Sequence, residues 1–130
     1  MSYYFNKVLK NQNFDTVIEK VTEVLKNQGF GVLSDIDVKA TLKKKIDVDF
    51  RNYRILGACN PTFAHKALLA ESHIGVFLPC NVIVQENQNG DIEVSAVDPM
   101  ASMISVENDS LGGIAEEVQN KMKKVIEDLT

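Results

Sequence analysis

Between Cys80 and Val97 the chain carries two runs of β-forming residues separated by Asn87-Gln88-Asn89-Gly90. In the second run, Ile92, Val94 and Ala96 alternate with Glu93, Ser95 and Val97, the period-2 pattern of a half-buried strand. An Asn-Gly pair between two such runs supplies the positive φ angles of a tight hairpin, so the two strands are expected to pair antiparallel. This feature constrains the fold more than any other, because a purely parallel, doubly wound sheet has no place for a hairpin.

Around the hairpin, helical and strand patterns alternate. Tyr3 to Leu9 reads as a first strand. Asn13 is placed to cap a helix whose apolar residues Phe14, Val17, Ile18, Val21, Val24 and Leu25 form one stripe, with Gly29 as its left-handed terminator. Phe30 to Ile36 reads as a second strand. Asp37 then caps a shorter helix with Val38, Leu42 and Ile46 at fourfold spacing and Lys43-Lys44-Lys45 on its wet side. Asn52 to Cys59 is apolar on both faces, as expected of a strand with neighbours on each side, and Arg54 is expected near its exposed end.

Asn60-Pro61 starts the next helix with a capping side chain and a proline at the first helical position. This helix should turn Phe63, Ala64, Ala67 and Leu68 inward and end near Glu71. Beyond it, Val76-Phe77-Leu78 leads toward the strand that begins at Cys80, with Pro79 forcing an edge, bulge or break. After Asp98-Pro99, Met100 to Val106 reads as an irregular or short helical connector. Ser110 or Asp109 is then expected to cap a last helix bearing Leu111, Ile114, Ala115, Val118, Met122, Val125 and Leu129. The pattern predicts a single α+β domain over residues 1–130, with a mixed, mostly antiparallel sheet covered by helices.

A chain of 130 residues, 45% hydrophobic and 25% charged, buries enough surface to fold without a disulfide or metal. The net charge of −4 argues against a nucleic-acid backbone as partner, and the lysine run is flanked by Asp47 and Asp49. Neither a leader-like N-terminus nor an apolar run of about 20 residues occurs, so no membrane partner is expected and the expected location is cytoplasmic. Cysteines in that setting are read as free thiols.

Both cysteines and both histidines fall in one window, Cys59, His65, His73 and Cys80. Thiols and imidazoles are the side chains best suited to soft-metal binding or nucleophilic work near neutral pH. Their spacing, C-x5-H-x7-H-x6-C, matches no paired structural-zinc pattern. The two cysteines sit in similar settings, Cys59-Asn60-Pro61 and Pro79-Cys80-Asn81. If their strands lie side by side, Cys59, Asn60, Cys80 and Asn81 come together as a ligand site. Cys59 would directly precede a helix N-terminus, whose N–H groups and dipole favour a thiolate. That permits a nucleophile with His65 as base, or a soft-metal site from Cys59, Cys80 and His65. The alternative is that both cysteines are small hydrophobes in the core of a structural homodimer.

The segments Tyr53-Arg54-Ile55-Leu56-Gly57-Ala58-Cys59-Asn60-Pro61, Ala64-His65-Lys66-Ala67-Leu68 and Leu78-Pro79-Cys80-Asn81-Val82, with Gly90 and Val97-Asp98-Pro99-Met100, resemble the signature of the prokaryotic domain-of-unknown-function 302 family. The resemblance covers nearly the whole chain. It implies a compact α+β domain related to TATA-binding-protein-like folds and a homodimer, and it matches Cys59, Asn60, Pro61, Leu78, Pro79, Cys80 and Asn81 to the family pattern. His73 departs from that pattern. The resemblance names no activity, so enzyme status and cofactor stay open. A small molecule or a soft metal is the expected partner.

Overall fold

The computed structural model describes residues 2–130. Five strands form one sheet in the order β1-β5-β4-β3-β2, where β1 is Tyr4–Leu9, β2 Gly31–Asp37, β3 Tyr53–Cys59, β4 Cys80–Glu86 and β5 Ile92–Val97. The sheet, expected to be mixed and mostly antiparallel, has all four pairings antiparallel. This α+β arrangement is consistent with a TATA-binding-protein-like fold.

The hairpin that joins β4 to β5 is present, with one change of detail. Gly90 takes φ +87, but Asn89 does not take a positive φ. The turn closes through Gly90 N–H to Asn87 O at 2.9 Å and Asn87 N–H to Asp91 O at 2.8 Å. This is a three-residue loop with glycine in the left-handed position, which needs only one such residue.

Helices α1 (Phe14–Asn27) and α5 (Gly112–Asp128) lie across one face of the sheet. Asn13 caps α1 by accepting the Thr16 N–H at 3.2 Å, and Val17, Val21 and Leu25 on its apolar stripe are fully buried. Burial of each such side chain stabilises the fold by about 2 kcal/mol. They meet Leu56, Val82, Val84, Ile92, Val94 and Ala96 from the sheet and Val118, Met122 and Val125 from α5. Lys7 of β1 donates to the carbonyls of Glu127 and Leu129 at 3.0 and 2.8 Å, holding a cation at the C-terminal end of α5.

Helix α2 (Val38–Ile46) is capped by Asp37 as expected, but none of its residues is buried. Its Lys43 pairs with Asp47 at 2.9 Å and Asp49 at 3.2 Å, a solvated charge cluster. Arg54, at the start of β3, makes a two-pronged hydrogen bond to Asp35.

Three expectations change around the site. Val76 and Phe77 lie in a 3-10 segment, Ser72–Phe77, rather than in an approach to a strand, and Val76 is 81% exposed. Pro79 has no N–H to donate, so the ladder begins only at Cys80. Leu68 of α3 (Pro61–Ala70) is exposed, because Ile74 from the 3-10 segment fills the interior beside Ala67. The last helix is introduced by Asn108 rather than by Ser110 or Asp109. Asn108 accepts the Ser110 N–H at 3.0 Å and caps the short 3-10 turn Asp109–Leu111 that runs into α5.

The connector from Pro99 to Leu111 begins with the four-residue helix α4 (Pro99–Ser102), capped by Asp98. It covers a small second cluster in which Ala67, Ile74 and Leu111 are buried against Leu78, Met103, Val106 and Ile114. The seam between this cluster and the main core is where the cysteines sit. Neither α1 nor α5, the two helices that bury the main core, covers the opposite face of the sheet. It presents Tyr4, Tyr53, Ile83 and Val97 beside Asn81, Gln85, Glu93 and Ser95.

Candidate functional site

Strand β3 ends at Cys59 and passes directly into α3. Asn60 marks the junction, its Oδ1 accepting the Phe63 N–H and its Nδ2 donating to the Gln28 carbonyl, both at 3.4 Å. The carboxamide therefore bridges the start of α3 to the end of α1. Gly29 lies beneath it with φ +85, and a Cβ there would stand 2.9 Å from Asn60 Nδ2. The glycine serves both the left-handed turn and the close approach of the amide. Asn60 is thus a structural bridge as well as a lining residue.

Strand β4 starts one register position away, Ala58 lying opposite Cys80 and Gly57 opposite Asn81. Cys59, Asn60 and Cys80 line one narrow slot of about 40 Å³. Its other walls come from Phe30, Ala58, Phe63, Ala64, Ala67, Leu78 and Pro79 on one side. Pro99, Met103, Leu111, Ile114, Ala115 and Val118 complete it from the connector and α5. Cys59 is half-buried and Cys80 buried, and both are free thiols. Burial pushes the Cys80 thiol up to about 11, with a smaller contribution from neighbouring Cys59. At neutral pH Cys80 is therefore a protonated, apolar wall group rather than a nucleophile.

The structure brings together three of the four residues singled out as ligand-binding. Asn81 is not with them. Alternation along β4 puts it on the uncovered face of the sheet, with Tyr3, Tyr4, Tyr53 and Ile83. His65 is exposed on α3 and does not line the slot, and His73 is exposed near Glu71. Among the described residues, no group of three or more His, Cys, Asp or Glu side chains is arranged to hold a metal ion. Sequence reasoning missed Met103 and Phe63 as walls of the slot. The sequence pattern places Met103 only in an irregular connector and Phe63 only among several inward positions on α3.

Comparison with known proteins identifies the family and the fold. Residues 5–129 match the family described as domain of unknown function DUF302. The chain belongs to the DUF302 family. A crystal structure of an uncharacterized conserved DUF302 protein from Bacillus stearothermophilus superposes with a TM-score of 0.91 at 26% identity, covering 100% of both chains. No curated protein matches the chain. No helix among the described residues is long and apolar enough to cross a membrane. Within that match, Cys59 and Asn60 contribute to one wall of the slot and Leu78, Pro79 and Cys80 to another.

Proposed function

We propose that this DUF302 chain is a cytoplasmic, homodimeric binding domain whose ligand sits in the slot beside Cys59, Asn60 and Cys80. One observation carries the reading: both free thiols of the chain line a single slot whose remaining walls are almost wholly apolar. Binding sites are typically concave and apolar with a few polar groups that fix orientation. At about 40 Å³ the slot takes a small group or a short apolar segment, not a large metabolite. Two unpaired thiols persist in a reducing compartment, which supports the cytoplasmic assignment.

A soft-metal version of the reading has one specific support. The Met103 thioether lines the same slot as the two thiols, and sulfur donors select soft ions such as Cu(I). A thiol enzyme with His65 as base has less support, because His65 does not line the slot that holds Cys59.

Alkylation of the whole protein distinguishes these readings. If the slot is a ligand site, material with its co-purified ligand retained reacts at Cys59 at least several-fold more slowly than stripped material. Native mass spectrometry then shows the corresponding added mass. Equal rates before and after stripping, with no added mass and no uptake of Ag(I) or Cu(I), would leave the cysteines as core residues only.

A further inference from the structure

Met103, Leu111 and Ala115 stand between two spaces. On one side is the apolar slot of about 40 Å³, and on the other a groove of about 460 Å³ whose walls include Met100, Ile104 and Val106. The groove has the size of a small-molecule site and the slot alone does not. Two of the three partition residues, Met103 and Leu111, belong to the connector from Pro99 to Leu111.

This partition is lightly held. Among the described hydrogen bonds, those of residues 99–107 stay within the stretch 98–108. Only the two ends are fastened to the rest of the fold, by Asp98 to Gln119 and by Asn108 to Ala70 and Glu71. Between them, Met103 and Val106 hold the connector by apolar contact. Where it enters α5, Leu111 stands at the N-cap position and supplies no side-chain cap. Gly112 and Gly113 follow. Neither takes a positive φ, and a Cβ on either would meet nothing within 4 Å. The closed arrangement therefore has room for alanine at both positions, and glycine there only weakens the helix start. A connector that swings does use them, because its joint must absorb the change in backbone angles.

We infer that the connector is a flap jointed at Gly112-Gly113, whose opening joins slot and groove into one cavity for an unbranched alkyl chain longer than the slot. This rests on the reading of the slot as a ligand site and adds the shape and class of the ligand. An alkyl chain is the occupant that fits, because only something that thin extends from the groove into so narrow a slot. Among the described residues, Asp98 is the one charged residue lining either space, so the chain carries an uncharged head rather than a carboxylate.

The test is an NMR titration of the full chain with the straight 1-alkanols from propanol to octanol. Propanol is expected to shift Phe63 and Ile114 of the slot, and octanol to shift Ile104 and Val106 of the groove as well. Affinity is expected to rise about threefold to fourfold with each added methylene along the whole series. In a Gly112→Ala/Gly113→Ala variant, octanol loses at least fivefold while propanol is unaffected, and alkylation of Cys80 slows at least threefold. An affinity that levels off after propanol, octanol shifts confined to the groove, or a double variant that binds octanol as the parent does would overturn the flap and leave the slot a ligand site. If Ile104→Asp halves the mass in light scattering, a second copy covers the groove and the alkyl-chain inference is overturned. If no alkanol shifts the slot residues or slows alkylation of Cys59, the inference and the reading beneath it fall together.

Discussion

Cys80 is the residue at which burial has the clearest chemical consequence. Its thiol ionises at about 11 in the folded protein against an ordinary value of 9.0, because the apolar slot disfavours the thiolate. Between these two values the unfolded chain releases the Cys80 proton and the folded chain keeps it. The unfolded state is therefore favoured as pH rises from 9 toward 11, and the fold loses about 2 to 3 kcal/mol over that window. Below pH 9 both states are protonated and the effect vanishes. Urea unfolding at pH 8 and pH 10.5 measures it. A Cys80→Val variant, close in volume, is expected to lose less stability across that interval than the parent, by about 2 kcal/mol. An identical pH slope in the two proteins would mean that Cys80 is not desolvated as described. At pH 8 the same burial makes Cys59, half-exposed at the end of β3, the first site of alkylation, which peptide mapping reads directly.

At the level of elements, the connector from Pro99 to Leu111 separates the slot from solvent. On its outer side lies a groove of about 460 Å³, and Met103, Leu111 and Ala115 line both the groove and the slot. The connector is tied down at its ends. Asp98 accepts from Gln119 of α5 at 3.0 Å, and Asn108 donates to the Ala70 carbonyl at 2.8 Å and to Glu71 at 3.3 Å. The Asn108 bond, with that from the His73 backbone, holds the Glu71 carboxyl below its usual range. An Asn108→Ala variant loses both bonds and the cap on Ser110, a cost of about 1–2 kcal/mol. Its expected signature is local: faster amide exchange over residues 99–111 and faster alkylation of Cys80, with the sheet amides unchanged. Uniformly faster exchange throughout the chain would show instead that Asn108 serves global stability alone.

This connector also marks how far the sequence could be read. Asn13, Asp37 and Asn60 were legible as caps because each precedes a clear apolar helical pattern. Asn108-Asp109-Ser110 offers three capping residues in a row, and the choice among them depends on the distant carbonyl of Ala70. Likewise Cys59 and Cys80 were legible as neighbours once β3 and β4 were expected side by side. That Asn81 faces away from Cys80 follows from strand alternation. That Met103 and Phe63 join them depends on how α3 and the connector fold over the strand ends. No local pattern encodes that step.

For the molecule as a whole, the outstanding feature is a five-stranded sheet whose two longest helices, α1 and α5, lie across one face. The other face carries Tyr4, Val8, Tyr53, Ile55, Ile83 and Val97 along the strands, with Val8 42% exposed and Tyr4 41% exposed. The polar groups between them are partly satisfied within the face, as in the 2.6 Å hydrogen bond from Ser95 to Asn6, so covering it leaves fewer polar atoms unpaired. A second copy related by a two-fold axis would meet this surface with the same surface, the isologous contact by which most homodimers assemble. This is the reading under which Asn81 serves assembly while Cys59, Asn60 and Cys80 serve the slot. Light scattering at micromolar concentration is then expected to return twice the 14.5 kDa of one chain. Ile83→Lys places a charge at the middle of β4 on this face and is expected to give the mass of one chain, leaving the alkylation rate of Cys80 unchanged because Cys80 faces the other side of the sheet. A parent protein that runs at the mass of one chain would remove the dimer. A dimer that survives Ile83→Lys would move its interface away from this face.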